Sequence, residues 1–322
     1  MKEFEKTKGY SNFRGIIGGL TAIKEGKSKW GFVEDEKKKS LQFSVKTSDN
    51  NVHYIRINQW KTGKAMDSAW ISKKDEESGK FETIKINWDD RLKKLEDGWR
   101  LIGIALKSAN DEYTQNFVAY DAIDYILENF EDGDAVFVGV ENSYYEGQNG
   151  TKNNYDLKKM FYAKDGVDFE AEDFEETADF EQTIIFNNCY PDADGLVINA
   201  FTVGFTGELC PTQFLVKNID KEVIKYFEKE IKIGDVLNVF GVVNNRVEYE
   251  LIKIESEESS GNSLGRKTKS VANREKPKYE KNILFEEKNL QITGLDIDSI
   301  EQGKYTEDDL LGDEFDEDEV PF

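Results

Sequence analysis

The chain has 322 residues, 43 Lys/Arg against 65 Asp/Glu for a net charge of −22, and 38% hydrophobic residues. Two cysteines (Cys189 and Cys210) and one histidine (His53) rule out a disulfide framework, a Cys/His metal cage and most His-based catalysis. No apolar run approaches the ~18 residues of a membrane span, and the charged N-terminus lacks a secretory apolar stretch. A cytoplasmic protein (host cytoplasm, if the source is viral) with no cofactor, metal or membrane partner is expected.

In chain order, the first expected strand is Phe13–Ile23, a long apolar stretch bent at Gly15, Gly18 and Gly19. Leu41, Phe43 and Val45 alternate with Gln42, Ser44 and Lys46 in a second strand. In Val52–Asn58, Ile55 and Ile57 alternate with Tyr54 and Arg56 in a third. A basic insertion, residues 61–119, follows; it holds Trp70, Trp88 and Trp99 and a further apolar strand at Leu101–Leu106. Ile123, Ile126, Leu127 and Phe130 then share one helical face, and Ala135–Tyr145 with Leu157–Ala163 form a hairpin. Asp165–Glu181 has nine acids and no base, which makes 166–181 an acidic linker. Strands return at Gln182–Asn187, Leu196–Phe205 and Gln213–Val216, followed by a helix with Ile224, Phe227 and Ile231 on one face. Two more strands are expected at Val236–Val243 and Val247–Ile254. Residues 256–306 read as a basic linker and an unplaced segment, and 307–322 as an acidic tail that stays extended because like charges repel.

Part of this pattern repeats at an offset of 101 residues. Tyr125–Phe130, Gly133-Asp134 and Ala135–Val138 recur as Tyr226–Ile231, Gly234-Asp235 and Val236–Val239. Gly133 and Gly234 suit left-handed helix C-caps, and Gly139 and Gly241 suit bulges in a curved sheet. Three strands, a helix and two strands, twice over, is the order of the OB-fold. The expected fold is therefore mainly β: two tandem OB-fold five-stranded barrels, residues 10–165 and 182–255, each with a helix between strands 3 and 4, plus the flexible acidic C-terminal tail.

The net charge conceals a split. Residues 1–107 hold 23 Lys/Arg and 16 Asp/Glu, net +7; the rest hold 20 and 49, net −29. All five tryptophans lie in the basic third. Cations that track phosphates, interleaved with flat rings that stack on exposed bases, are what a single-stranded nucleic acid groove requires. By strand parity Tyr54 and Trp60 would stack bases while Arg56 and Lys46 contact phosphate. Trp30, flanked by Lys27 and Lys29, is a further stacking candidate; Trp70 and Trp88 follow, while Trp99 and His53 read as core. Residues 182–254, with seven bases, ten acids and no tryptophan, would bind DNA weakly, pair with another subunit or brace the first barrel.

The chain ends Asp316-Glu317-Asp318-Glu319-Val320-Pro321-Phe322. An apolar tip carrying a terminal carboxylate behind a run of acids suits a pocket with a basic rim. This tip, with the helix, Gly-Asp, strand, Gly pattern above, resembles the single-stranded DNA-binding proteins of bacteria and their phages. The resemblance implies an OB-fold protein that protects single-stranded DNA in replication, recombination or repair and docks partner proteins through the tip. Two units, a large insertion and a short basic linker depart from the usual member, which implies a phage-type monomer or dimer. An enzyme is not expected: no phosphate-cradling G-x-x-x-x-G-K-[ST] occurs, and the acids form runs. The rival expectation is an OB-fold adaptor, a recombination mediator or helicase-loading factor with little DNA binding of its own.

Overall fold

The structure is a computed structural model that describes residues 4–28, 31–93, 95–96, 98–148, 150–254 and 278–311. It is mainly β. The first unit opens with β1 (Gly9–Gly18), α1 (Leu20–Lys24), β2 (Phe32–Glu34), β3 (Lys38–Lys46) and β4 (Val52–Trp60). The insertion supplies β5 (Ser68–Lys74), β6 (Phe81–Asn87), β7 (Arg100–Leu101), β8 (Ile104–Lys107) and β9 (Gln115–Phe117). Then come α2 (Ala119–Asn129), β10 (Ala135–Gly147) and β11 (Gly150–Tyr162). The second unit is β12 (Thr177–Asp192), β13 (Gly195–Val203), β14 (Leu209–Lys217), α3 (Lys221–Lys229), β15 (Val236–Ile254), β16 (Lys278–Glu301) and α4 (Glu307–Leu311).

Thirteen strands form one sheet; β5, β6 and β7 form a second, small one. Within the large sheet the pairings of the first unit close on themselves: β1 with β3, β3 with β4, β4 with β11, β11 with β10, and β10 with β1. Only the β4–β11 step of this circuit is parallel. The second unit repeats it: β12 with β13, β13 with β14, β14 parallel to β16, β16 with β15, and β15 with β12. Inward residues alternate as a half-buried strand demands: Leu41, Phe43, Val45, Ile55 and Ile57 are all within 2% of full burial. Each such side chain contributes roughly 1.5–3 kcal/mol by leaving water. Ile123, Ile126 and Phe130 add the apolar face of α2 to the same core.

The 101-residue repeat has a structural cause. Gly133 (φ 97°) and Gly234 (φ 85°) occupy the left-handed region, which costs glycine little. They do not cap the helices, whose C-caps are Phe130 and Glu230. Each instead sits in the turn that follows, where the next aspartate accepts a hydrogen bond from a backbone N–H three residues back: Glu131 N to Asp134 (2.8 Å) and Lys232 N to Asp235 (2.8 Å). Each turn then clasps the unit's first strand. Gly133 N donates to Ile17 O and Ile17 N to Asp134 O; Gly234 N donates to Phe186 O and Phe186 N to Asp235 O, all at 2.9–3.0 Å. Register shifts do occur at Gly139/Val140 and Phe240/Gly241, but the extra residues, Lys158 and Thr293, lie on the partner strands β11 and β16, so each glycine faces a bulge rather than forming it. A Cβ on Gly241 would lie 1.9 Å from the Gln291 carbonyl oxygen. Gly241→Ala is therefore expected to destabilise the fold by about 1–3 kcal/mol through forced backbone movement, read as a lower urea midpoint. An unchanged midpoint would contradict the close approach.

Several expectations change. The first strand stops at Gly18 rather than Ile23, because Gly19 turns the chain (φ 94°) and Asp132 caps the N–H of Leu20 at 2.7 Å to begin α1. Leu101–Leu106 is broken into β7 and β8. The acidic stretch 166–181 is not all linker: from Thr177 it is strand. Val236–Ile254 is one strand, not two, and the fifth strand is Lys278–Glu301, inside the segment 256–306 read as linker and unplaced. Residues 307–311 of the expected tail form α4, whose Leu310 is buried against Tyr305, Ile185 and Val236.

The two units meet strand to strand. The first half of β1 pairs antiparallel with the first half of β12, Gly9 opposite Gln182 and Phe13 opposite Ala178. Beside this seam a polar cluster joins the β3–β4 turn to β15. Glu176 accepts from Thr47 Oγ1 (2.7 Å) and Asn51 Nδ2 (2.9 Å) and pairs with Arg246, whose guanidinium also reaches Asn50 Oδ1 (3.2 Å). Asn245 N donates to Asn51 Oδ1 at 2.8 Å. Burial pulls Glu176 toward protonation, but the bonds from Thr47 and Asn51 and the Arg246 charge outweigh it and hold the carboxyl below its usual range. His53 is fully buried beside the cluster, stacked on Phe13 with centroids 4.2 Å apart. Because Thr47 Oγ1 gives its proton to Glu176, the 3.2 Å contact with His53 Nε2 makes Nε2 the donor and leaves Nδ1 as a buried lone pair without a partner.

Candidate functional site

The outer face of β3 and β4 is set by an unbroken antiparallel register: Lys38 opposite Trp60, Ser40 opposite Asn58, Gln42 opposite Arg56 and Ser44 opposite Tyr54. No bulge interrupts Val52–Trp60, so Tyr54, Arg56, Asn58 and Trp60 all leave the same side. Tyr54 is 57% and Trp60 59% exposed. Large rings that stay in water on a regular strand are not needed by the core, which is already filled from the opposite face. They line a groove of about 760 Å³ whose charged lining residues are Lys38 and Arg56, with no carboxylate among the rest. Serine, glutamine and asparagine make up much of its floor.

A second groove, about 990 Å³, adjoins the first at Arg56 and Trp60, which line both. Trp70 and Trp88 of the insertion line it together with residues of the β10–β11 hairpin. Trp70 is half exposed, with Lys85 Nζ 5.8 Å from its ring centroid. Trp88 is partly buried: the Arg91 guanidinium lies 4.1 Å over its ring, and Tyr120 meets it edge-on at 6.2 Å. Arg91 is fixed in turn by a two-pronged bond to Asp121 (2.7 and 2.9 Å), which anchors the short 88–92 helix to α2.

The sequence-derived residues divide accordingly. Tyr54, Arg56 and Trp60 share the first groove; Arg56, Trp60, Trp70 and Trp88 share the second. Arg56 is not a free cation, since its guanidinium forks onto Asp156 at 2.8 and 3.1 Å. Lys46 lines neither groove; it pairs with Asp49 (3.0 Å) and lies 5.2 Å from the Phe169 ring centroid. Lys27 pairs with Glu25 at 2.6 Å on the turn after α1, outside both grooves. Lys29 and Trp30 lie outside the described residues, although Ser28 and Gly31 on either side line the first groove. The tip residues Asp316 to Phe322 also lie outside the described residues. Trp99 is half-buried rather than core.

Sequence reasoning missed Lys38, the cation that faces Trp60. The alternation through Gln42, Ser44 and Lys46 would have reached it had it been carried back two more steps. It also missed Lys39, buried to 2% and paired with Asp124 of α2 at 2.5 Å, its ammonium 4.0 Å from the Tyr120 ring centroid. That contact seats the helix and leaves Lys39 unavailable to a ligand. Among the described residues no three His, Cys, Asp or Glu side chains converge to hold a metal ion, and no helix is long and apolar enough to cross a membrane.

Residues 107–314 match the protein family described as YorF. No curated protein matches the chain. Among solved structures, a deletion mutant of the single-stranded DNA binding protein from Thermus aquaticus is similar at a TM-score of 0.31 and 9% identity, over 76% of this chain and 89% of that one.

Proposed function

The chain belongs to the YorF family, and from that footing we propose that it binds single-stranded DNA by stacking and phosphate neutralisation on the β3–β4 face. The observation that carries this reading is the pair Tyr54 and Trp60, each more than half exposed on one strand face, in a groove edged by the cation Lys38 and by Arg56, which Asp156 already holds. A stacked base gives each ring the flat apolar neighbour that it lacks, worth roughly 1–3 kcal/mol, with little regard to sequence. We read each closed circuit of five strands, with its third and fifth strands parallel and a helix between the third and fourth, as an OB-fold barrel. The role is binding, not catalysis: the groove presents rings, amides and cations rather than an acid–base or nucleophile pair. The acidic tip then serves as the docking segment for replication or recombination proteins, in a cytoplasmic monomer or dimer.

Titration of the full chain with an oligothymidine at two salt concentrations tests the reading. Tryptophan fluorescence is expected to fall on binding. The log of the affinity should drop with the log of salt at a slope of about −0.7 per phosphate neutralised. Absence of both quenching and a gel shift would sink the proposal and favour the adaptor.

A further inference from the structure

The second unit reaches into the larger groove through Phe205. At 87% exposure it is the most exposed large apolar side chain among the described residues. The ring stands on the turn between β13 and β14, and that turn is ordered. Gly204 N donates to Glu208 O (2.9 Å), and Thr206 N donates to the Glu208 carboxylate (2.9 Å). Phe205 is thus projected rather than loose, and Lys6 Nζ lies 6.0 Å from its centroid.

Most charges in the groove wall are spent on one another; Glu208, which also lines it, is held by the Thr206 amide rather than by a cation. Glu141 is held by Lys6 (2.6 Å) and Lys158 (2.7 Å), which keep its carboxyl below the usual range against the upward pull of burial. Arg56 is held by Asp156. Paired ions and the Glu208 carboxylate have little attraction for phosphate, whereas the rings of Trp60, Trp70, Trp88 and Phe205 that line the groove favour a flat neutral group.

We propose that Phe205 stacks a base of the bound strand in this groove, so that one single-stranded DNA site spans both units. The inference rests on the DNA-binding reading and extends it. A strand leaving the β3–β4 face past Trp60 enters the larger groove directly, because Trp60 borders both. Its bases lie among Trp70, Trp88 and Phe205.

The test uses the full chain as wild type, Phe205→Ala, Phe205→Trp and the double variant Tyr54→Ala/Trp60→Ala. Fluorescein-labelled oligothymidines of increasing length are titrated by anisotropy, with thermal unfolding recorded for each protein. Phe205→Ala is expected to weaken binding of long oligonucleotides roughly ten- to a hundred-fold, to shorten the length at which affinity stops rising, and to leave Tm unchanged. Phe205→Trp should restore both affinity and length. Phe205→Ala that matches wild type at every length overturns the inference while the double variant still reports on the β3–β4 face. A wild type that binds no oligonucleotide overturns both.

Discussion

Alanine at both Tyr54 and Trp60 is expected to weaken oligothymidine binding by ~2–6 kcal/mol, roughly thirty-fold to twenty-thousand-fold, if each ring stacks one base. Both rings project from the outer face of β4 and contribute little to the core, so folding should be nearly untouched, within about 0.5 kcal/mol. That separation makes the experiment decisive: anisotropy reports the lost affinity, and a thermal melt reports that the protein is intact. Tyr54→Phe keeps the ring and loses only the hydroxyl, and should bind within about twofold of the wild type if stacking supplies most of the affinity at this position. Equal affinity for the double variant and the wild type would remove the basis of the proposed function.

Acid is expected to destabilise the protein through His53. Burial is the main cause that pushes its imidazole down to about 4 from 6.5; the Glu176 charge opposes this and the Arg246 charge adds to it. The folded protein therefore holds a neutral ring where the unfolded chain takes up a proton. Stability is full above pH 6.5 and falls as the pH drops toward about 4, where the folded form is protonated too. At 1.36 kcal/mol per pH unit the whole loss is about 3 kcal/mol, a large part of a typical domain's stability. Urea unfolding between pH 7 and 4.5 measures it. His53→Phe keeps a ring against Phe13 but cannot titrate, and its stability should fall less over that range. Parallel curves for the two proteins would show that His53 is not the group responsible. Glu176 adds a separate loss at lower pH, since its depressed carboxyl is protonated only below the ordinary glutamate range.

Local pattern was legible in the sequence wherever period-2 alternation ran unbroken. Leu41 to Lys46 and Val52 to Asn58 gave the right strands and the right faces, whereas Gly139 and Gly241 mark the strand opposite each bulge rather than the bulged strand. Alternation fails at bulges. In β16, Leu284 is an extra residue between the pairs Glu248–Phe285 and Tyr249–Ile283, and Thr293 is another between Phe240–Gly294 and Gly241–Ile292. Each puts the following side chains out of phase, so the longest strand of the protein looked patternless. The candidate site was legible only in part. Exposed aromatics can be inferred from strand parity, but Arg56–Asp156 links residues 100 apart in sequence, and no local rule reveals that the cation is already engaged. The sequence places Phe205 at the end of the strand Leu196–Phe205, but β13 stops at Val203; an aromatic residue between Gly204 and Gly207 is a weak turn signal, whose purpose depends on what lies opposite.

The seam between β1 and β12 makes the two halves of the molecule mutually protective. Within each ring the opening strand spends its first half on the other unit and only its second half on its own neighbour, β3 or β13. Severing the halves would bare a row of unmatched amides and carbonyls on each, the kind of open margin that recruits foreign strands. Each half serves as the other's lid.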